Sequence, residues 1–133
     1  MKYISTRGGV APHSFKEVVL KGLADDGGLF VPRVWPKRNR TFFLNLQNKT
    51  YSEVAFEIFK LFVGNDVEEN TLKSLLEEAY MTFNHEDIVP LKKLKDDLYL
   101  LELFHGPTLA FKDIAIQALA RLMEYFITGH EKG

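Results

Sequence analysis

The most informative segment of the chain is Glu102-Leu103-Phe104-His105-Gly106-Pro107-Thr108-Leu109-Ala110-Phe111-Lys112-Asp113. It contains the end of an apolar run at 98–104, which predicts a strand buried on both faces, as in a parallel sheet. Gly106-Pro107 predicts a sharp turn after this strand. The residues that follow have apolar side chains at helical spacing. We therefore expect a helix with Thr108 as its N-cap and Lys112 at its fourth position.

This position suits a lysine that attacks a carbonyl group. Only the neutral amine is nucleophilic, and a helix N-terminus disfavours the ammonium form by a few tenths to about 1 kcal/mol. Apolar neighbours, namely Phe104, Leu109 and Phe111, would act in the same direction by desolvation. A strand that leads into a helix N-terminus is also where α/β proteins bind phosphorylated ligands. The alternative is an ordinary exposed lysine at a helix start.

The first third of the chain predicts short strands around one helix. Residues 2–5 and 29–32 indicate short extended segments, with turn residues next to each. Ser14 and Glu17 form a capping box that begins a helix, because each side chain reaches the other residue's backbone amide.

Residues 33–49 predict a charged surface connection, since they hold five basic residues; a phosphate-attracting patch is the alternative. A second capping box, Thr50 with Glu53, begins an amphipathic helix. A further helix, capped by Asp66 or Asn70, follows a short loop, and the two predict an antiparallel pair that packs into the core. The next stretch, 88–97, indicates a short extended segment and then a polar turn.

Composition restricts the classes of function. The chain has 133 residues, a net charge of -1 and no cysteine. We therefore expect no nucleic-acid or membrane partner, and disulfides and thiolate metal sites are excluded. His13, His85 and His130 show no metal-ligand spacing, so no metal site is expected. No apolar run is long enough for a signal peptide or a membrane helix, which predicts a soluble, cytoplasmic protein.

Three separated segments resemble threonine synthases: Tyr3-Ile4-Ser5-Thr6-Arg7-Gly8, residues 14–32, and residues 102–113 as quoted. Members of this family are fold-type II enzymes that use pyridoxal 5'-phosphate (PLP). They convert O-phospho-L-homoserine and water to L-threonine and phosphate, the last step of threonine biosynthesis. The resemblance implies an α/β fold, α+β in this stretch, with a helix-rich N-terminal region at 1–83. The PLP-binding α/β domain would begin with a strand–helix unit at 84–133.

The resemblance also assigns residues. Lys112 matches the lysine that forms the internal aldimine with PLP and then shuttles protons at Cα and Cβ of the substrate during β,γ-elimination and replacement. Phe111 is a candidate for lining the cofactor pocket. His105 is a candidate for contacting cofactor or substrate, with a turn-stabilising hydrogen bond as its alternative. Asp113 would pair with a basic group or favour the helix N-terminus, and a direct catalytic role is its alternative.

The sequence after Lys112 contains no glycine-rich loop that could hold the cofactor phosphate. We therefore expect this chain to be the N-terminal piece of a longer lyase, inactive by itself, with an uncovered sheet edge through which it self-associates. One alternative is a non-enzymatic remnant that acts as an interaction module. Another is a different fold-type II PLP lyase, although the opening at 1–32 argues against it.

Overall fold

The computed structural model describes residues 1–129. Within that range four strands and five helices follow one another along the chain: β1 (Tyr3–Ser5), α1 (Phe15–Lys21), β2 (Phe30–Pro32), α2 (Arg40–Leu44), α3 (Tyr51–Val63), α4 (Glu69–Tyr80), β3 (Leu91–Lys95), β4 (Leu98–Leu101) and α5 (Asp113–Thr128). This mixture of helices and short strands confirms the predicted α+β class. Among these helices, none combines the length and the apolar character that crossing a bilayer requires.

The two predicted N-terminal extended segments pair with each other. β1 and β2 are antiparallel, with Ser5 opposite Phe30. The Asp26 carboxylate closes the connection between them, because it accepts hydrogen bonds from Ser5 Oγ at 2.7 Å and from the Gly9 amide at 2.7 Å. A Cβ atom at Gly28 would lie 2.1 Å from Ser5 Oγ. Glycine at position 28 is therefore a packing requirement.

Both predicted capping boxes are present. The Ser14 amide donates to Glu17 Oε2 at 2.6 Å, and the Thr50 amide donates to Glu53 Oε2 at 2.8 Å. In each box the Ser or Thr side chain accepts the amide of its glutamate in return. These reciprocal bonds satisfy amides that the first helical turn leaves without partners.

The predicted cap of α4 was wrong. Glu68 is the N-cap, and its side chain accepts the Thr71 amide at 3.0 Å. Asp66 is occupied elsewhere: it accepts the amide of Lys16, in the first turn of α1, at 2.8 Å. Asp66 therefore caps a helix 50 residues earlier in the chain instead of the one that follows it.

One hydrophobic core joins α3, α4 and α5. Its most buried side chains, each at most 2% exposed, are Val63, Leu72, Leu76, Ala79, Ala118, Leu122 and Phe126. The Phe15 ring of α1 packs edge-on against Phe126, with centroids 6.1 Å apart. The Tyr80 hydroxyl donates to the Ile114 carbonyl at 3.1 Å. The predicted regions 1–83 and 84–133 thus share a core; the boundary at 84 stays a prediction, and 130–133 lie outside the described residues.

A strand is present in the predicted range 98–104, but it is shorter than predicted and exposed instead of buried. β4 ends at Leu101 and pairs with β3 as an antiparallel hairpin, with Leu91 opposite Leu101. Every residue of both strands is exposed. The apolar run predicted burial on both faces, but no described element covers either face. The turn predicted within the polar stretch 92–97 is present at Asp96 and Asp97, but the residues before it, Lys92 to Lys95, belong to β3.

The connection at 33–49 is largely exposed, as predicted, but it contains the short helix α2. Asn39 caps this helix by accepting the Phe42 amide at 3.0 Å. The Trp35 ring contacts the edge of Phe62, with centroids 6.3 Å apart, and this contact holds the connection against α3.

Replacing a core leucine tests this packing. Leu76 is 1% exposed, so Leu76→Ala is expected to lower the free energy of unfolding by about 2–5 kcal/mol, through lost apolar burial and the cavity that remains. Leu23→Ala makes the same chemical change at a side chain that is 59% exposed. Urea unfolding followed by circular dichroism measures both. Equal losses for the two variants would contradict the described core.

Candidate active site

Lys112 stands immediately before α5 and not inside it. The helix begins at Asp113, and Lys112 occupies the N-cap position with no side-chain capping bond. The predicted N-cap at Thr108 was therefore wrong. Leu109 has a positive φ of 60°, which interrupts any helix through residues 108–112. Two consecutive turns replace that helix, closed by the bonds from the Leu109 amide to the Gly106 carbonyl and from the Asp113 amide to the Ala110 carbonyl, each 3.0 Å long.

Asp113 closes the turn that presents Lys112. Its side chain is almost fully buried, at 2% exposed. Oδ2 accepts the Thr108 amide at 2.9 Å and the Thr108 hydroxyl at 2.8 Å, while Oδ1 accepts from Gln117 Nε2 at 3.3 Å. Burial raises the pKa of Asp113, but the hydrogen bonds from Thr108 and Gln117 outweigh burial and hold this pKa below its ordinary value. The carboxylate also suits the positive end of α5.

Gly106 is required by the position of Asp113. A Cβ atom at Gly106 would lie 2.4 Å from the Cβ of Asp113 and 2.5 Å from its Oδ2. Any larger residue would therefore displace the carboxylate that holds Thr108. Gly106, Thr108 and Asp113 are thus linked, because the hydrogen bonds from Thr108 to Asp113 close a loop in which Gly106 has no room for a side chain.

A second buried carboxylate lies at the start of the same loop. Glu102 is 6% exposed; its Oε2 lies 2.8 Å from His105 Nε2, and its Oε1 accepts from Lys92 Nζ at 2.9 Å. The bonds from His105 and Lys92 outweigh burial and lower the pKa of Glu102. The His105 ring also stacks at an angle on His85, with centroids 4.8 Å apart. The turn-stabilising bond of His105 is thus present, while its contact with a cofactor stays a prediction.

The Lys112 side chain is exposed, and no hydrogen bond or ion pair to it is found within residues 1–129. Its apolar neighbours are exposed as well: Phe104 is 52%, Leu109 72% and Phe111 64% exposed. The desolvation predicted from these side chains is therefore not supplied by the described part of the chain. The amine is sterically accessible from outside the described residues.

The N-terminus of α5 offers no free amides for a phosphate group. The amides of Asp113, Ile114, Ala115 and Ile116 all donate to carbonyls within residues 110–112. The described residues therefore fit the covalent attachment of a carbonyl cofactor through Lys112, but its phosphate needs another partner. The described residues contain no group of three or more metal-ligating side chains; the absence of a metal site stays a prediction, and His130 lies outside the described residues.

Sequence reasoning missed the two loop-closing carboxylates. Asp113 was considered only for pairing with a basic group, for the helix end or for direct catalysis, and Glu102 was not considered. The signal for Asp113 was present, since Thr108, a residue with two hydrogen-bond donors, stands five positions earlier. For Glu102 the local signal was His105, three positions later, whereas its pairing with Lys92 had none because Lys92 comes from the neighbouring strand.

Asp113→Asn tests the closed loop. At neutral pH the variant is expected to melt at a lower temperature, because an amide cannot accept all the bonds that the carboxylate accepts. The folded-state pKa of Asp113 lies below the unfolded value of about 3.9. Its stabilisation is therefore complete above that value and is lost as the pH falls through the folded-state pKa. The difference in melting temperature between wild type and variant should shrink in acid.

Thermal unfolding between about pH 7 and about pH 2 measures this difference. Asp25→Asn is the matched control, because the Asp25 side chain is 74% exposed and pairs with Lys21 at the surface. Such pairs contribute little, so this variant should melt close to wild type at neutral pH. A pH-independent difference for Asp113→Asn would contradict the assigned role of the carboxylate.

The fold and the loop have close matches among known proteins. The family model described as "Threonine synthase N terminus" matches residues 2–80. A threonine synthase of Schizosaccharomyces pombe is 46% identical over 129 residues, which are 96% of this chain and 25% of that protein. One from Pseudomonas aeruginosa is 42% identical over 127 residues, 96% of this chain and 27% of that protein.

A solved structure gives the same result. The crystal structure of PLP-bound threonine synthase from Brucella melitensis superposes with a TM-score of 0.96 at 41% identity. The match covers 98% of this chain and 28% of that one. The chain thus spans about a quarter of the length of the relatives it matches. It belongs to the threonine synthase family, in which it corresponds to the N-terminal region.

Proposed function

We propose that the protein containing this chain is a PLP-dependent lyase that converts O-phospho-L-homoserine and water to L-threonine and phosphate. The observation that carries this proposal is an exposed Lys112 amine, without an ion pair in the described residues, at the end of a loop fixed by Asp113 and Gly106. Family membership supplies the substrate. Support for the cofactor comes from the Brucella melitensis relative, whose structure is described as PLP-bound.

Lys112 would hold the cofactor covalently and would later act as a base. PLP, when bound, withdraws electrons from the substrate α-carbon. Lys112, carried on a loop with few degrees of freedom, would take the proton from Cα and exchange protons at Cβ. The electron pair left at Cβ would expel phosphate from Cγ, a proton would be added at Cγ to form the methyl group, and water would add at Cβ before a proton returns to Cα. Phe111 and His105 remain proposed neighbours of the cofactor, whose phosphate would be held elsewhere than at the occupied first amides of α5.

The proposed partner is accordingly a small molecule, O-phospho-L-homoserine. The absence of nucleic-acid and membrane partners stays a prediction from the near-neutral net charge of -1 and from the hydropathy of the sequence. The cytoplasmic location also stays a prediction from the sequence.

Lys112→Ala in the full-length enzyme tests the proposed function. The wild type is expected to show the visible absorbance band of covalently bound PLP and to release phosphate from O-phospho-L-homoserine. The variant should lose both, because alanine offers no amine. Borohydride reduction followed by peptide mapping should label Lys112 in the wild type. Lys73→Ala, at an exposed lysine of α4, should leave the band and the label unchanged; a label elsewhere would refute the assignment.

The hairpin β3–β4 is the proposed self-association surface of the 133-residue chain. Six large apolar side chains on it are at least 45% exposed: Leu91, Leu94, Leu98, Tyr99, Leu100 and Leu101. Both outer strand edges are unpaired within the described residues. Exposed apolar strands with free edges associate with one another. In the full-length protein we propose that residues outside this chain cover the hairpin.

Sedimentation of the 133-residue chain at increasing concentration tests this surface. The average mass should rise with concentration, and it should rise less for the double variant Leu98→Lys/Leu100→Lys. Leu23→Lys, also at an exposed leucine, is the control and should behave like wild type. A monomer at all concentrations would contradict the proposal. The same preparation is expected to release no phosphate from the substrate.

A further inference from the structure

The segment between β4 and α5 is held by side chains and not by regular secondary structure. Residues 102–112 contain no helix or strand. Asp113 fixes the second half of this segment through Thr108. The first half contains its own buried carboxylate, Glu102, ten residues before Lys112. The two carboxylates stand at the two ends of the segment that presents the lysine.

His105 is the stronger of the two partners of Glu102. The Lys92 side chain is 61% exposed, so water and salt screen its attraction to the carboxylate. The His105 side chain is only 17% exposed, and the Glu102 side chain 7%. A buried carboxylate needs hydrogen-bond donors to offset its lost hydration. The bond between Glu102 Oε2 and His105 Nε2 therefore contributes more than the lysine pair to fixing the loop.

Three further contacts determine the position of His105. Its carbonyl accepts the Asn84 amide at 2.8 Å, and its ring stacks on His85 and Phe104 with centroids 4.8 and 4.6 Å away. His85 is itself oriented, because its Nδ1 accepts the Asp87 amide at 3.1 Å. His105 thus connects residues 84–85, which precede the β3–β4 hairpin, with the segment that follows the hairpin.

The bond to Glu102 also determines the tautomer of His105. An ionised carboxylate only accepts hydrogen bonds, so Nε2 must carry a proton. In the neutral imidazole this leaves Nδ1 as an acceptor. Within residues 1–129 no hydrogen bond to Nδ1 is present. Nε2 is therefore the ring nitrogen through which His105 is anchored to the loop.

We propose that Glu102 is a positioning residue for the lysine chemistry: through its hydrogen bond with His105 Nε2 it fixes the course of the loop before Lys112 and the orientation of the imidazole. The inference rests on the proposed function, since it assigns a part in that lysine chemistry to a residue whose side chain bonds to His105 and Lys92 and not to Lys112. It differs from a purely structural role, which would change stability without changing the surroundings of the lysine.

The test uses the full-length enzyme with PLP bound and compares Glu102→Gln, His105→Gln and the double variant. Displacement of a reacting group by about 1 Å costs on the order of 10²-fold in rate, so Glu102→Gln should lower kcat by about 10- to 100-fold with a smaller change in KM. The pH midpoint of the cofactor absorbance should shift as well, because it reports the surroundings of Lys112. The double variant should be no worse than His105→Gln, since Glu102 acts through His105.

Glu78→Gln is the matched control, because Glu78 is an exposed glutamate of α4 and undergoes the same chemical change; kcat and the midpoint should not move. Wild-type kcat and midpoint in Glu102→Gln would overturn the inference, also if its melting temperature falls. If Glu102→Gln does not fold, wild-type values in His105→Gln would overturn it. Loss of the inference leaves the Lys112→Ala result intact, whereas retention of the cofactor band by Lys112→Ala would overturn the proposed function itself.

Discussion

The need to satisfy one buried carboxylate shapes the candidate active site. Asp113 is nearly inaccessible to water, so its oxygens must accept hydrogen bonds from the protein. The available donors are the backbone amide and the hydroxyl of Thr108 and the side-chain amide of Gln117. Folding the chain back to bring Thr108 to Asp113 leaves no room for a side chain at Gly106. The position of Lys112 thus follows from the hydrogen bonds that the neighbouring Asp113 carboxylate must accept.

α5 links this loop to the rest of the molecule. Its buried side, including Ala118, Leu122 and Phe126, belongs to the same core as α3 and α4. Its first turn carries Asp113 and follows Lys112 directly. Packing of α5 against α1 and α4 therefore determines where the exposed Lys112, just before the helix, stands on the surface. The N-terminal region thus supports the segment in which the proposed cofactor lysine stands.

Local features of the fold were predictable from the sequence, and non-local ones were not. The capping boxes at Ser14 and Thr50 involve residues three positions apart, so the sequence alone specifies them. The lysine-rich β3 exists because β4 pairs with it, and no single residue of β3 indicates a strand. The positive φ of Leu109 could not be predicted from the sequence either, since leucine rarely adopts this conformation. Resemblance, and not local pattern, identified Lys112. The pairing of Glu102 with Lys92 depends on the hairpin, which brings together residues ten positions apart.

The shared core also constrains the order in which the chain folds during its synthesis. The ribosome releases a chain from its N-terminus, and regions fold as their contacts become available. The pocket that α1 and α4 form for α5 stays unfilled until Leu122 and Phe126 have emerged. Once they have emerged, Lys112 is already outside the ribosome and anchored. Any folded unit that includes the filled pocket therefore already contains Lys112 and the loop that holds it.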